Sequence, residues 1–157
     1  MASTGGEPVT VHPGPTTAVL PAEIRDAIVA QARAEYPNEA CGLIVGDRAA
    51  VDGGTALRYE PTHNRAASPS RYEIDPSDLL RLTIATDDAD EVFWGIVHSH
   101  THTPAVPSPT DIGLAFYPEA LYLLISLSDD ETAADGAPSL RAWRIVDGDV
   151  HEVELRG

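Results

Sequence analysis

The apolar run from Val92 to Val97 leads directly into His98-Ser99-His100, and this join narrows what the chain can fold into more than any other stretch. Phe93, Trp94, Ile96 and the valines at each end have the composition of a buried strand. Side chains alternate along a strand, so imidazoles two residues apart emerge on the same side of the sheet at its end. A turn rich in proline then brings the chain back to Asp111. Two imidazoles and a carboxylate make a set of three N and O donors, which leaves one position of a tetrahedral zinc ion open to water. Each part also has a plainer reading. Paired histidines occur as ordinary polar residues at strand ends. Ser108-Pro109-Thr110-Asp111 has the form of a helix start, with Ser108 as N-cap, Pro109 in the first helical position and Asp111 in the first turn. The second reading is compatible with function, because a helix start fixed in this way holds a ligand rigidly.

The rest of the chain predicts a single α/β domain over residues 17–157, behind a loose tail at 1–16 that is rich in Gly, Pro, Ser and Thr. A short strand is expected at Thr17 to Leu20. Ile24, Ala27, Ile28 and Ala32 recur at helical spacing and predict an amphipathic helix from Ala22 to Glu35, stopped by Tyr36-Pro37-Asn38. Strands are expected at Glu39 to Gly46 and Ala56 to Glu60, followed by an aperiodic loop from Pro61 to Arg71. Asp75-Pro76 opens a second helix that runs toward Thr86, with Asp87 to Glu91 as an acidic turn. Ile112, Ala115 and Phe116 extend helical spacing to Pro118. Strands then follow at Tyr122 to Leu127, Leu140 to Val146 and Val150 to Leu155, with an acidic loop at Asp129 to Pro138 and an Asp147-Gly148 hairpin signal. Helices among strands and hairpins point to a mixed sheet flanked by helices.

Asp and Glu number 25 against 10 Lys and Arg, a formal net charge of −15. That balance argues against nucleic acid or an anionic membrane surface as a partner, since either selects a basic patch. Cys41 is the single cysteine, so an intrachain disulfide framework is excluded. Residues 1–7 lack the basic and apolar segments of a signal peptide, and the apolar run Ala120 to Leu127 is too short to span a bilayer. The expected setting is the cytoplasm.

A hydrolase built on such a donor set also needs a carboxylate outside it, to carry the proton from water to the leaving amine. Glu39 is the candidate, because it opens an apolar strand able to lie beside the histidine strand. Ser108 is a candidate hydrogen-bond donor to the oxyanion of a tetrahedral intermediate, help worth about 3 kcal/mol. His102 continues the alternation of His98 and His100 and is expected to line the cleft and touch substrate. Asn64, in the loop with His63 and Arg65, is a candidate to hold the substrate's tail or the leaving residue's carboxylate. Cys41, inside an apolar run, reads as a buried small residue.

His98-x-His100, seven residues, Ser108, two residues and Asp111, with Glu39 upstream, resembles the signature of the JAMM (MPN+) metalloproteases. The likeness covers roughly residues 17–155. It implies a mixed sheet flanked by helices, of the cytidine-deaminase-like kind. It also implies Zn2+ held by His98, His100 and Asp111, with Glu39 as general base and acid and Ser108 steadying the oxyanion. Within the family the compact length and Glu39-Ala40-Cys41-Gly42 resemble small actinobacterial hydrolases of the sulfur-carrier route to cysteine. The partner implied is a small ubiquitin-like β-grasp sulfur carrier ending in Gly-Gly. The bond cut is the one after that end, with release of cysteine. Two alternatives stay open: trimming of a carrier in another sulfur-transfer pathway, and a non-catalytic module that binds a ubiquitin-like partner. A zinc deaminase of related fold is excluded, since its Cys-x-x-Cys ligands need a second cysteine.

Overall fold

A computed structural model describes residues 14–128 and 138–157. The expected tail lies almost wholly outside these residues, as does the acidic loop apart from Pro138. Among the described residues, seven strands form one mixed sheet in the order β1-β7-β6-β5-β4-β2-β3. They are β1 Thr17–Val19, β2 Cys41–Gly46, β3 Ala56–Thr62, β4 Val92–His100, β5 Leu121–Ser126, β6 Ser139–Val146 and β7 Asp149–Arg156. The helices are α1 Ala22–Glu35, α2 Pro76–Asp88 and α3 Pro109–Gly113. Only β1 with β7 and β4 with β5 pair in parallel; the other neighbours are antiparallel.

Each face of the sheet carries its own apolar core. Ile24, Ile28 and Ala32 of α1 pack with Ile44, Val97, Leu121, Leu123 and Ile125 on one side. Leu82 of α2 packs with Leu43, Ile96, Tyr122, Leu124 and Trp143 on the other. The period of two is visible in β5, where 121, 123 and 125 serve the first core and 122 and 124 the second. In β4 the alternation slips once. Ile44 faces Gly95 but Val45 faces Phe93, so Trp94 is an extra residue in the ladder. Its indole donates to the Gly54 carbonyl at 2.7 Å. Beyond this bulge Ile96, His98 and His100 share the face of α2, and β4 is buried from Trp94 to its end.

The helix starts follow from capping chemistry. The Asp75 carboxylate accepts from the amides of Ser77 at 2.8 Å and Asp78 at 3.4 Å, with Pro76 in the first turn. Asp147 and Gly148 both take positive φ, 51° and 84°, as a tight hairpin between β6 and β7 requires.

Several expected boundaries move, among them the start of β2, which lies at Cys41 and not at Glu39. α2 continues to Asp88, so the first two residues of the expected acidic turn are helical. β3 runs on to Thr62, because its ladder with β2 still pairs Pro61 with Gly42 and Thr62 with Cys41. α3 stops at Gly113 instead of reaching Pro118. Ile112 and Ala115 still pack on the second core, while Phe116 is 73% exposed.

Candidate metal centre

The centre sits where the C-terminal end of β4 meets the start of α3. Cys41 pairs with His98 across the β2–β4 ladder, and the backbones of Ala40 and Ser99 are joined by a 2.9 Å hydrogen bond. Continuing that register puts Glu39 level with His100. The Ser99 hydroxyl accepts from the Ala40 amide at 2.7 Å and locks this end of the ladder. Glu39 is 4% exposed and His98 1% exposed.

Asp111 reaches the histidines through a capping box. The Ser108 hydroxyl accepts from the Asp111 amide at 3.1 Å, and the Asp111 carboxylate accepts from the Ser108 amide at 2.9 Å. The helix-start reading of this segment is therefore true, and it is the device that delivers the carboxylate. Asp111 Oδ1 lies 3.2 Å from His98 Nε2 and Oδ2 lies 3.0 Å from His100 Nε2. Donor atoms of the three residues all fall within 4.8 Å of one another.

These distances suit a metal ion. Bonds of about 2.0–2.2 Å at tetrahedral angles set neighbouring donors about 3.3 Å apart. His98 adds a second sign: neither ring nitrogen has a hydrogen-bond partner among the described residues, although both are buried. Its Nε2 is close to Asp111 but off the line that a hydrogen bond needs. An imidazole held dry and unpartnered is costly unless something accepts its lone pair. His100 is oriented from behind. Its Nδ1 lies 2.8 Å from the Pro104 carbonyl. A carbonyl only accepts, so Nδ1 carries the hydrogen and Nε2 faces Asp111.

The electrostatics fit the same picture. Burial pushes the His98 pKa down, toward the neutral imidazole a metal requires. Burial opposes charge on Asp111, but the two imidazoles facing it and the Ser108 amide hold its carboxyl far below the usual range. Burial also opposes a charged His100; the contact with Asp111, the Pro104 carbonyl and the charges of Asp111 and Glu39 outweigh it and raise its pKa. Glu39 is pushed up to about 7 by burial and by Asp111, against a lowering from His100. A carboxyl poised near neutrality beside a donor cluster can both take and return a proton.

The other sequence candidates fall around this centre. His102 is exposed, with its ring 6.1 Å from that of Tyr36. The Thr101 hydroxyl donates to the Pro69 carbonyl at 2.7 Å, so its 2.7 Å contact with His102 Nδ1 has the ring as donor. Asn64 behaves differently from the expectation. Its amide donates to the carbonyls of Glu39 at 3.0 Å and Arg71 at 3.1 Å, and its oxygen accepts from the amides of Ala66 and Glu73. That uses its whole capacity, leaving none for a substrate. The loop around it, expected to be aperiodic from Pro61 to Arg71, is closed by an Asn64–Ile74 bridge and by the Arg65 amide donating to the Glu73 carbonyl. Tyr72 went unnoticed in the sequence; its ring stacks on His98 with centroids 4.2 Å apart. Nothing in its local pattern marks it.

Comparison with known proteins gives the family. Residues 21–146 match the family described as prokaryotic homologs of the JAB domain. The chain is 41% identical over 134 residues to the CysO-cysteine peptidase of Mycobacterium tuberculosis, covering 85% of this chain and 86% of that protein. It is 35% identical over 119 residues to the desampylase of Haloferax volcanii, covering 73% and 84%. The solution structure of a Desulfitobacterium hafniense protein superposes with a TM-score of 0.73 at 34% identity, covering 88% and 90%. By the extent of these matches, and with His98, His100 and Asp111 gathered at the C-terminal end of β4, the chain belongs to the prokaryotic homologs of the JAB domain.

Proposed function

We propose that this chain is a zinc-dependent peptidase that cuts the bond after the C-terminal Gly-Gly of a small ubiquitin-like sulfur-carrier protein and releases cysteine. The observation that carries the reading is the buried Glu39 carboxyl, pushed up to about 7 by burial, level with His100 of the three convergent donors. The substrate class is supported by the relatives, whose names are those of a CysO-cysteine peptidase and of desampylases. A reduced, cytoplasmic setting suits this chemistry, and no helix among the described residues is long and apolar enough to cross a membrane.

His98, His100 and Asp111 hold the ion. When bound, zinc supplies Lewis-acid polarisation of a carbonyl and lowers the pKa of water to roughly 7. Glu39 accepts the proton that water loses as its oxygen bonds to the Gly carbonyl carbon. It then returns that proton to the amide nitrogen as the C–N bond breaks, so the amine leaves neutral. The Ser108 oxygen already accepts from the Asp111 amide, which leaves its O–H free to donate to the oxyanion. Asp111 and Ser108 are thus set by one capping box, the first as ligand and the second as donor. His102, exposed just past the end of β4, touches the substrate.

The direct test uses a carrier extended by one cysteine after Gly-Gly and follows loss of that residue by mass spectrometry. Cleavage abolished by a chelator and by Glu39→Gln is the expected result. A zinc-loaded protein that cleaves none of several such carriers would remove the carrier-peptidase reading and favour a binding module.

A further inference from the structure

Beside Asp111 lies a cavity of about 290 Å³ lined by Ala66, Ser70, Arg71, Tyr72, Thr110 and Leu114, among others. One wall is the Asn64 loop and the other is the start of α3. Its walls carry three charged side chains, and two of them are already engaged. Asp111 faces the imidazoles of His98 and His100. Glu73 is 3.9 Å from Arg65. Arg71 has no carboxylate within ion-pair distance among the described residues, in a chain where acids outnumber bases by 25 to 10.

The backbone of Arg71 is anchored, while its side chain is exposed. The Asn64 amide that donates to the Glu39 carbonyl donates with its other hydrogen to the Arg71 carbonyl. One side chain therefore fixes the backbone of the proposed proton carrier and of this arginine to each other. A guanidinium presents a planar fork that matches a carboxylate, and the hydroxyls of Ser70 on one wall and Thr110 on the other add donors.

We infer that Arg71 is a specificity-determining residue that binds the free α-carboxylate of the residue being released, so that the enzyme prefers a single C-terminal residue after the carrier's tail. The inference rests on the carrier-peptidase reading above. A bond inside a longer chain presents no carboxylate at this place, and an isopeptide-linked protein places its own far away. The cavity accordingly selects end-trimming over the separation of two proteins.

The experiment compares zinc-loaded wild type, Arg71→Ala and Arg71→Lys on one carrier bearing a C-terminal cysteine, either as the free acid or as its amide. The readout is the ratio of kcat/KM for acid over amide. Wild type is expected to favour the acid about ten- to a hundredfold, mainly through KM, the range of one charge-assisted contact. Arg71→Ala should bring the ratio close to one, and Arg71→Lys should restore part of it, since a point charge replaces the fork. A wild-type ratio near one, or an Arg71→Ala ratio equal to that of wild type, overturns the inference while leaving the peptidase intact. Failure of wild type to cleave either form overturns the peptidase reading, and this inference falls with it. Zinc content and circular dichroism establish that each variant is folded and loaded.

Discussion

Asn64 donates a hydrogen bond of 3.0 Å to the backbone carbonyl of Glu39, and with it ties an irregular loop to the entrance of β2. Because carbonyls only accept, the amide nitrogen must face Glu39 and Arg71, and the amide oxygen must face Ala66 and Glu73. Replacing the side chain frees Glu39 to drift, and a misplacement of about 1 Å can cost about a hundredfold in rate.

Asn64→Ala is therefore expected to lower kcat/KM at least tenfold while zinc content is unchanged, since none of its partners is a metal donor. Asn64→Asp separates the two halves of the amide. It keeps the acceptor for Ala66 and Glu73 but loses both donors, so activity should fall as in Asn64→Ala while the melting temperature stays nearer wild type. Steady-state kinetics with metal analysis checks this. Wild-type activity in Asn64→Asp would show that the donor side is idle.

Glu39 and His98 should respond differently to removal. Glu39→Gln keeps the shape and leaves the donor set whole, so bound zinc should be retained while kcat drops by about 10²–10⁴. His98→Ala takes away a donor and should lose both metal and turnover. Metal content by mass spectrometry, alongside the carrier assay, separates the two. Normal turnover in Glu39→Gln would mean that another group moves the proton, even with zinc in place.

Ser108 has one observed and one proposed job to separate, because its oxygen caps α3 and its O–H has no acceptor among the described residues. Ser108→Ala should cost about 1 kcal/mol of stability through the lost cap. It should also cost about 10²–10³ in kcat through the lost oxyanion contact. If the hydroxyl served only to hold Asp111, excess zinc would restore the rate. The expected result is a low kcat that persists at saturating zinc.

Much of this was legible in the sequence because it follows short-range rules. The His98–His100 alternation, the Ser108-to-Asp111 helix start and the Asp75 cap are each set within a few residues. The placement of Glu39 required only that β2 and β4 be neighbours. Tyr72 against His98, and the four bonds of Asn64, were not legible. They arise where an aperiodic loop is folded back by contacts far along the chain, such as the Thr101 hydroxyl on the Pro69 carbonyl. No local pattern encodes them. The end of α3 was misread for a related reason: Ala115 keeps a buried spacing after the helix has stopped at Gly113, so periodicity outlasts the helix itself.

The raised pKa of Glu39 is also a statement about stability. Burial lifts it from 4.5 to about 7. Between those values the folded metal-free chain holds a proton that the unfolded chain has released, so stability falls as pH rises across the interval. Below it, both states are protonated and the group contributes nothing. Above it, the folded state carries the full cost of a buried charge. Glu39→Gln removes that cost, so with zinc chelated the variant should match wild type near pH about 4 and exceed it near pH about 8 by about 1–3 kcal/mol, several degrees in Tm. Thermal melts at the two pH values in chelator give the difference directly. A difference that is the same at both would mean that burial does not shift this carboxyl, and Glu39 would then lack the near-neutral affinity that carrying a proton both ways requires.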